Sequence, residues 1–295
     1  MMFDRLVIDD VNRTADVWQY ASGKSINAAR VLQTLGKSPL ATGFAGRDSG
    51  AFLLADLNRE TIANDFVTVA VPTRMCITLV DRSASTATEL IEESRAVPVQ
   101  AYVELLEKFR RHLPRALGVV LSGSLPPSAP VDFYADCVIA ANAAGKFVVL
   151  DASGEPLRRA LRHRPTVVKP NRRELSQTVN LPVETDAELK IAIAKLLTDG
   201  PRWAVITDGA KQTVASDGRQ FWKIATPKVK VVSAVGSGDS FAAGLAAGLS
   251  AGQEVPQACK LAAACGAANA MSAMAGCVAA DVVNLLTESA AVSEF

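Results

Sequence analysis

From residue 117 onward the chain repeats one pattern, and that pattern constrains the fold more than any other feature. Short apolar, β-branched runs alternate with polar loops and helix-like segments. Leu117 to Leu121, Phe147 to Leu150, Thr166 to Val168 and Trp203 to Thr207 read as buried strands. Between them Val131 to Ala144, a stretch from Arg172, and Asp186 to Leu197 read as helices, with Gly145 as a C-terminal stop. Strands buried on both faces and joined through helices make a mostly parallel sheet, so the expectation is an α/β fold. Gln212 to Val232 gives shorter strands, with Lys228 to Val232 strand-like, and helices fill the rest, including Phe241 to Leu249.

The first third reads differently. Val11 to Tyr20 and Met75 to Ile91 space Val, Thr and Ile with charges, as half-exposed antiparallel strands do, with a turn at Arg82 to Thr86. Ile26 to Gly36 between them reads as a helix. No long linker or repeat stands out, so residues 1–295 are expected to form a single domain with a small β lid, its strands at about 5–21 and 72–92.

Composition excludes several functions. Hydrophobic residues make up 49% and the formal net charge is +1 without a basic block, which argues against a nucleic-acid surface. Residues 241–280 are rich in Ala and Gly, but Gln253, Glu254, Pro256 and Lys260 interrupt them, so no membrane span is expected. The cysteines number 5, an odd count without a C-x-x-C pair, as in a reduced cytoplasmic protein. The histidines, His112 and His163, sit in no motif, which disfavours a zinc site or a Ser-His-Asp triad.

Three polar clusters fall at expected strand ends, where open α/β sheets bind ligands. In Gly236-Ser237-Gly238-Asp239-Ser240 two glycines permit a tight turn that aims N–H groups at one point, and a helix start adds positive potential. That is an anion hole suited to a transferring phosphoryl group, and Asp239 beside it can take a proton from an attacking hydroxyl. The same residues also read as an ordinary glycine turn with an Asp cap. Lys169-Pro170-Asn171-Arg172-Arg173-Glu174 ends a strand and opens a helix. Its Asn171–Glu174 pair suits hydrated Mg²⁺ on nucleotide phosphates, or simply a capping box. Ser122-Gly123-Ser124-Leu125-Pro126 offers hydroxyls to a sugar, or is a turn. Gly23-Lys24-Ser25 imitates the end of a Walker A loop, but Trp18 stands where that loop needs glycine, and no GxGxxG fingerprint opens the chain.

The order Ser22-Gly23-Lys24-Ser25-Ile26-Asn27, Thr73-Arg74, Ser122 to Pro126, Lys169-Pro170-Asn171 with Glu174, and Val235 to Ser240 resembles the PfkB carbohydrate kinases. Within them it looks most like the tagatose-6-phosphate and fructose-1-phosphate kinases, a match strengthened by Asp10 to Arg13, Leu40 to Gly43 and Val131 to Tyr134. The resemblance implies a three-layer α/β/α ribokinase-like core with a β-sheet lid, often a dimer contact. It implies ATP and Mg²⁺ as cofactors and a phosphorylated ketohexose as substrate: tagatose 6-phosphate, fructose 1-phosphate or fructose 6-phosphate. Carried over by position, Asp239 is the base and Gly236, Ser237 and Gly238 form the anion hole. Gly23 and Asn27 contact the sugar with Ser124 beside it, and Arg13, Lys24 and Arg74 hold its phosphate. Lys169, Asn171, Glu174, Thr207, Gly209 and Asn269 serve the nucleotide, Glu174 through the metal. A competing reading is a catalytically weak or silent sugar-phosphate or nucleotide-binding protein on the same fold.

Four departures bear on these expectations. Ser22 and Ser25 replace family glycines and are expected to crowd the sugar or stiffen the lid hinge. Gln212 replaces another glycine, and Asp208 adds negative charge near phosphates. Met1 falls just after the strand that opens other family members, so the sheet is expected to lack a strand it is built to hold. An upstream start, another segment in the slot and a rearranged sheet are the alternatives, with the upstream start favoured. Asp9 and Asp10 map to the lid and are not expected to replace the sugar-binding Asp of that strand.

Overall fold

The computed structural model describes residues 1–295. In chain order the amino-terminal elements are β1 (Met2–Phe3), α1 (Lys24–Thr34), β2 (Leu40–Ala41), β3 (Phe44–Gly46), α2 (Arg47–Arg59), β4 (Ala63–Asn64), β5 (Val67–Val69), β6 (Cys76–Asp81), β7 (Thr86–Ile91) and α3 (Val99–His112). Then follow β8 (Gly118–Ser122), α4 (Phe133–Ala143), β9 (Phe147–Asp151), α5 (Gly154–Leu161), β10 (Val167–Val168), α6 (Arg172–Val179), α7 (Asp186–Thr198), β11 (Trp203–Ile206), β12 (Thr213–Ser216) and β13 (Phe221–Ile224). The chain closes with α8 (Ser237–Ser250), α9 (Val255–Ala270), α10 (Ala280–Ser289) and β14 (Val292–Glu294).

The main sheet has seven strands in the order β14-β13-β12-β11-β10-β9-β8. Strands β8 to β11 run parallel, and β11 to β14 pair antiparallel. Alternate residues face opposite layers, as the pleat requires. Val148 and Leu150 enter a core with α4, α5, α6 and α7, while Val149, Val167 and Val205 enter another with α8 and α9. This is the expected three-layer arrangement. Helices α8 and α9 cross with backbones nearly touching: a Cβ on Gly244 would lie 2.7 Å from Ala262 Cα, and one on Gly248 2.9 Å from Ala258 Cα. The Ala- and Gly-rich run is thus a close helix pair, and no helix is long and apolar enough to cross a membrane.

The amino-terminal third is divided among three smaller sheets, β1-β6-β7, β2-β4 and β3-β5. β6 and β7 form the expected hairpin around residues 82–85, and every residue of β7 is exposed. The expected strand within 5–21 does not form. Met2 N–H to Asp16 O is the one backbone–backbone bond from that stretch to a strand, while Val11 and Trp18 stand exposed, so Met2–Phe3 supplies the third lid strand instead. Lys228 to Val232 likewise forms no strand; Val232 N–H bonds Ala270 O at the end of α9 rather than a ladder. Strand β8 pairs only with β9, and its other edge has no strand partner. Val119 and Val120 on it are only half-buried. Below that edge Tyr102 stacks between Phe44 and Phe133, and its buried hydroxyl finds no hydrogen-bond partner.

Candidate active site

The site lies where the carboxyl ends of β8, β9, β10 and β11 meet the starts of α1, α6 and α8. Asp239 sits in the first turn of α8 and is 8% exposed. Asn27 on α1 donates from Nδ2 to Asp239 Oδ2 at 2.8 Å, and Ser22 Oγ donates to Asn27 Oδ1 at 3.2 Å. Ser22 therefore orients the amide that faces the carboxylate. Ser25 Oγ lies 3.4 Å from Ser122 Oγ and tethers α1 to the end of β8. The two serines in place of glycines act as ties between elements. Gly23, at φ +137°, still needs the freedom of glycine to start α1.

Burial pushes the Asp239 carboxyl up to about 6, against the Asn27 hydrogen bond, and the negative charge of Asp151 adds to the rise. Lys24 and Lys169 pull the other way. Asp151 ends β9 and bridges both lysines: its Oδ1 is 3.4 Å from Lys24 Nζ and its Oδ2 3.5 Å from Lys169 Nζ. Asp151 and Lys169 are both almost fully buried. Burial works against the Lys24 charge, but Asp151, Asp239 and Glu174 outweigh it and hold its pKa above the ordinary lysine value. Sequence reasoning missed Asp151. Its signal was available, since a lone carboxylate closing the apolar run Phe147 to Leu150 stands at a strand's ligand-facing end.

At the start of α8 the Gly236, Gly238 and Asp239 N–H groups have no acceptor in the protein, as the first turn of a helix leaves them. The Ser237 N–H differs: it closes a turn onto Ala234 O at 3.1 Å. Of the three residues expected to line an anion hole, Gly236 and Gly238 thus keep free N–H donors, joined by Asp239, while the Ser237 N–H shapes the turn. A Cβ on Gly238 would lie 3.7 Å from Lys169 Nζ, so an ammonium stands beside the free donors. The arrangement joins a buried carboxylate to a positive, N–H-lined recess.

Asn171 and Glu174 form a complete capping box, each side chain holding the other's backbone N–H, and Asn171 bridges to Thr207. Gly209 follows at φ +57°. Asp208 pairs with Arg172 at 3.0 Å and Lys211 at 3.6 Å, which offsets its charge near the loop. Gln212 is exposed and is not among the positive-φ residues, so its position needs no glycine.

Three expected site residues stand apart. Arg13 and Arg74 are exposed with no acidic partner, Arg74 reaching only Ser94 Oγ, whereas Lys24 turns to Asp151. Ser124 lines a cleft of about 260 Å³ with Leu125, Tyr134 and Ser153, and Asp239 is not part of its lining. Asn269 is a correction. It is fully buried, and its amide is spent on Val235 O, Ser237 Oγ, Ser240 Oγ and the Gly276 N–H, so it cannot reach a nucleotide. It instead fastens α9 to the start of α8.

The fold and this centre define a phosphoryl-transferring α/β enzyme. The sequence pattern of the pfkB family carbohydrate kinases matches residues 1–277, and the chain belongs to that family. It is similar to the structure of a candidate phosphofructokinase from Staphylococcus aureus, with 30% identity over 100% of this chain and 94% of that one and a TM-score of 0.81. It is also similar to phosphofructokinase-2 from Escherichia coli, solved with potassium, at 24% identity, 98% and 94% coverage and a TM-score of 0.87. A candidate 1-phosphofructokinase from Thermotoga maritima matches at 22% identity, 100% and 95% coverage and a TM-score of 0.89. The chain is a sugar kinase with a ribokinase-like fold.

Proposed function

We propose that this kinase transfers the γ-phosphoryl group of ATP to a hydroxyl of a phosphorylated ketohexose, giving a sugar bisphosphate. The observation that carries the reading is the Asp239 carboxylate, buried beside unpaired N–H groups at the start of α8 and hydrogen-bonded to Asn27. Asp239 takes the proton from the attacking hydroxyl, and the Gly236, Gly238 and Asp239 N–H groups receive the charge that develops on the phosphoryl oxygens. Lys169 strengthens that field from 3.7 Å beyond the Gly238 Cβ position. Lys24 is already poised between Asp151, Asp239 and Glu174.

For Mg²⁺ the donor set is a single carboxylate, Glu174, and Asn171. Glu174 Oε2 accepts the Asn171 N–H, and Oε1 has no partner in the protein. One carboxylate plus nucleotide phosphates and water fits the octahedral, water-rich shell Mg²⁺ prefers. Bound there, the metal would neutralise phosphate charge. Arg13 and Arg74 on the lid side, both without acidic partners, support a clamp for the substrate's own phosphate. The lid sheet exposes Ile77, Leu90 and Ile91, and the irregular stretch before α1 exposes Val11 and Trp18, which supports a homodimer through the lid.

The test is turnover with ATP and Mg²⁺ over tagatose 6-phosphate, fructose 1-phosphate, fructose 6-phosphate and the free hexoses. At least one phosphate ester should exceed its free sugar in kcat/KM by tenfold or more. Equal values for ester and free sugar would remove the phosphate clamp, and no turnover at all would favour a silent binding protein.

A further inference from the structure

Arg30, on α1, is 7% exposed and takes no part in the chemistry above. Its Nε and Nη2 bond the Glu60 carboxylate at 2.8 and 3.1 Å. That pair would satisfy an ordinary buried arginine. Two further bonds leave it: Nη2 to Ala21 O at 2.9 Å, and Nη1 to Ala275 O at 3.3 Å, the latter across 245 residues of chain. The guanidinium also sits 5.6 Å from the Tyr20 ring centre, and Tyr20 Oη accepts the Ala275 N–H at 3.1 Å. Both polar atoms of one buried residue, Ala275, are thus held by Tyr20 and Arg30. Tyr20 and Ala21 belong to the stretch that joins the lid to α1.

What Ala275 touches matters. Gly236, at φ +82°, caps α8, and a Cβ there would lie 2.7 Å from Ala275 Cβ. Gly276 lies against Asn27, where an added Cβ would come within 2.8 Å of Asn27 Cα. The Gly276 N–H bonds Asn269 Oδ1 at 2.7 Å. The segment 275–276 is therefore wedged between Asn27, which holds the carboxylate, and Gly236, which opens the anion hole. No slack exists on either side.

We infer that Tyr20 and Arg30 are positioning residues: together they grip Ala275, and through it they set the place of Gly236 and of the Asn27–Asp239 pair relative to the lid connection. The inference rests on Asp239 as the base. A shift of about an ångström at a reacting centre costs on the order of a hundredfold in rate, so a partial loosening should be visible in turnover.

Tyr20→Phe removes one hydroxyl and keeps the ring over Arg30. It should lower kcat roughly tenfold, leave KM for ATP and for the sugar phosphate within about twofold, and scarcely move the melting temperature. In hydrogen exchange, the bonded amides of Ser237, Ser240, Ala275 and Gly276 should exchange faster, while 241–248 stay as they were. Arg30→Lys, which cannot span Glu60 and two carbonyls, should do the same more strongly. Wild-type kcat with unchanged exchange at Ser237 and Ser240 overturns the inference, and so does a change confined to 275–276. A lowered melting temperature with wild-type kcat also overturns it, marking Tyr20 as a packing contact. Asp239→Asn in the same assay keeps the two readings apart. Near-normal turnover there unseats the base, while faster exchange at Ser237 and Ser240 in Tyr20→Phe would still uphold the clamp on the helix start.

Discussion

The main sheet and the amino-terminal third of this kinase are built to different standards. From β8 to β14 every strand is bonded to its neighbour, and both faces are covered by helices. Before residue 92 the strands fall into three sheets of two or three strands, and β7 is exposed throughout. The groups proposed to handle the proton and bind the anion, Asp239, Asp151 and Lys169, belong to the first region. The unpaired cations expected to read the substrate, Arg13 and Arg74, belong to the second. Rigid scaffolding thus holds the chemistry, and loosely supported segments present the recognition groups, which have to admit and release a ligand.

The sharpest way to break this contrast is Asp239→Asn. It should cut kcat by about 10²–10⁴ with little change in KM. The same variant should be more stable at neutral pH. Because the folded carboxyl titrates near 6 rather than 3.8, the native state holds its proton more tightly than the unfolded chain does. Stability therefore falls as pH rises from about 4 to 6, a cost on the order of 2–3 kcal/mol that persists above pH 6. The Asn variant should gain that amount at pH 7 and nothing at pH 3.5, measured by denaturant melts at both values. Wild-type turnover should lose its activity along an acid limb centred near pH 6.

Asp151→Asn comes next. It leaves Lys169 buried without a counter-charge, so melting should reveal a loss of about 3–5 kcal/mol. It also removes one cause of the raised Asp239 pKa, so the acid limb should move to lower pH. An unaltered melting temperature would show that the rigid region does not depend on this bridge. Arg74→Ala tests the other region: KM for the sugar phosphate should rise roughly 10–100-fold while stability stays unchanged, because its only partner is Ser94 Oγ on the surface. A clear drop in melting temperature would mean that the lid arginine is structural after all. The smallest effect is expected from Glu174→Gln. Gln can still accept the Asn171 N–H, so the melting temperature should scarcely change, and a metal role should appear separately, as a higher Mg²⁺ requirement in a titration of activity.

The same two regions differ in how far the sequence could be read. In the main sheet local signals agreed with tertiary structure. Val-rich runs became strands within a residue or two, Thr185 and Glu188 capped α7 where the pattern opened, and the glycines of the Gly236 to Ser240 motif became a helix start. Residues 11–20 misled because alternation shows only that a strand is permitted; no partner lay opposite, and the stretch stayed irregular. Lys228 to Val232 failed for the same reason. The place of Asp239 at a helix start was legible because its motif is contiguous. Asp151 was legible only as a carboxylate at a strand end; its bridges to Lys24 and Lys169, 127 residues before it and 18 after, were not. Asn269 was placed in the right neighbourhood but given the wrong duty, since a single sequence does not reveal that all of an amide's bonds are internal.

The bond from Asn27 to Asp239 closes 212 residues of chain. Helices α8 and α9 and the β12–β13 hairpin need only near neighbours to form, whereas this contact waits until both ends of the polypeptide have been gathered. Competence should therefore be among the last properties acquired as the chain refolds. Helical signal should return first, then the burial of the sheet, and enzymatic turnover only when α1 docks on α8. A catalytic centre assembled this way reports on completion of the whole molecule, and a partly folded copy carries the motif without the function.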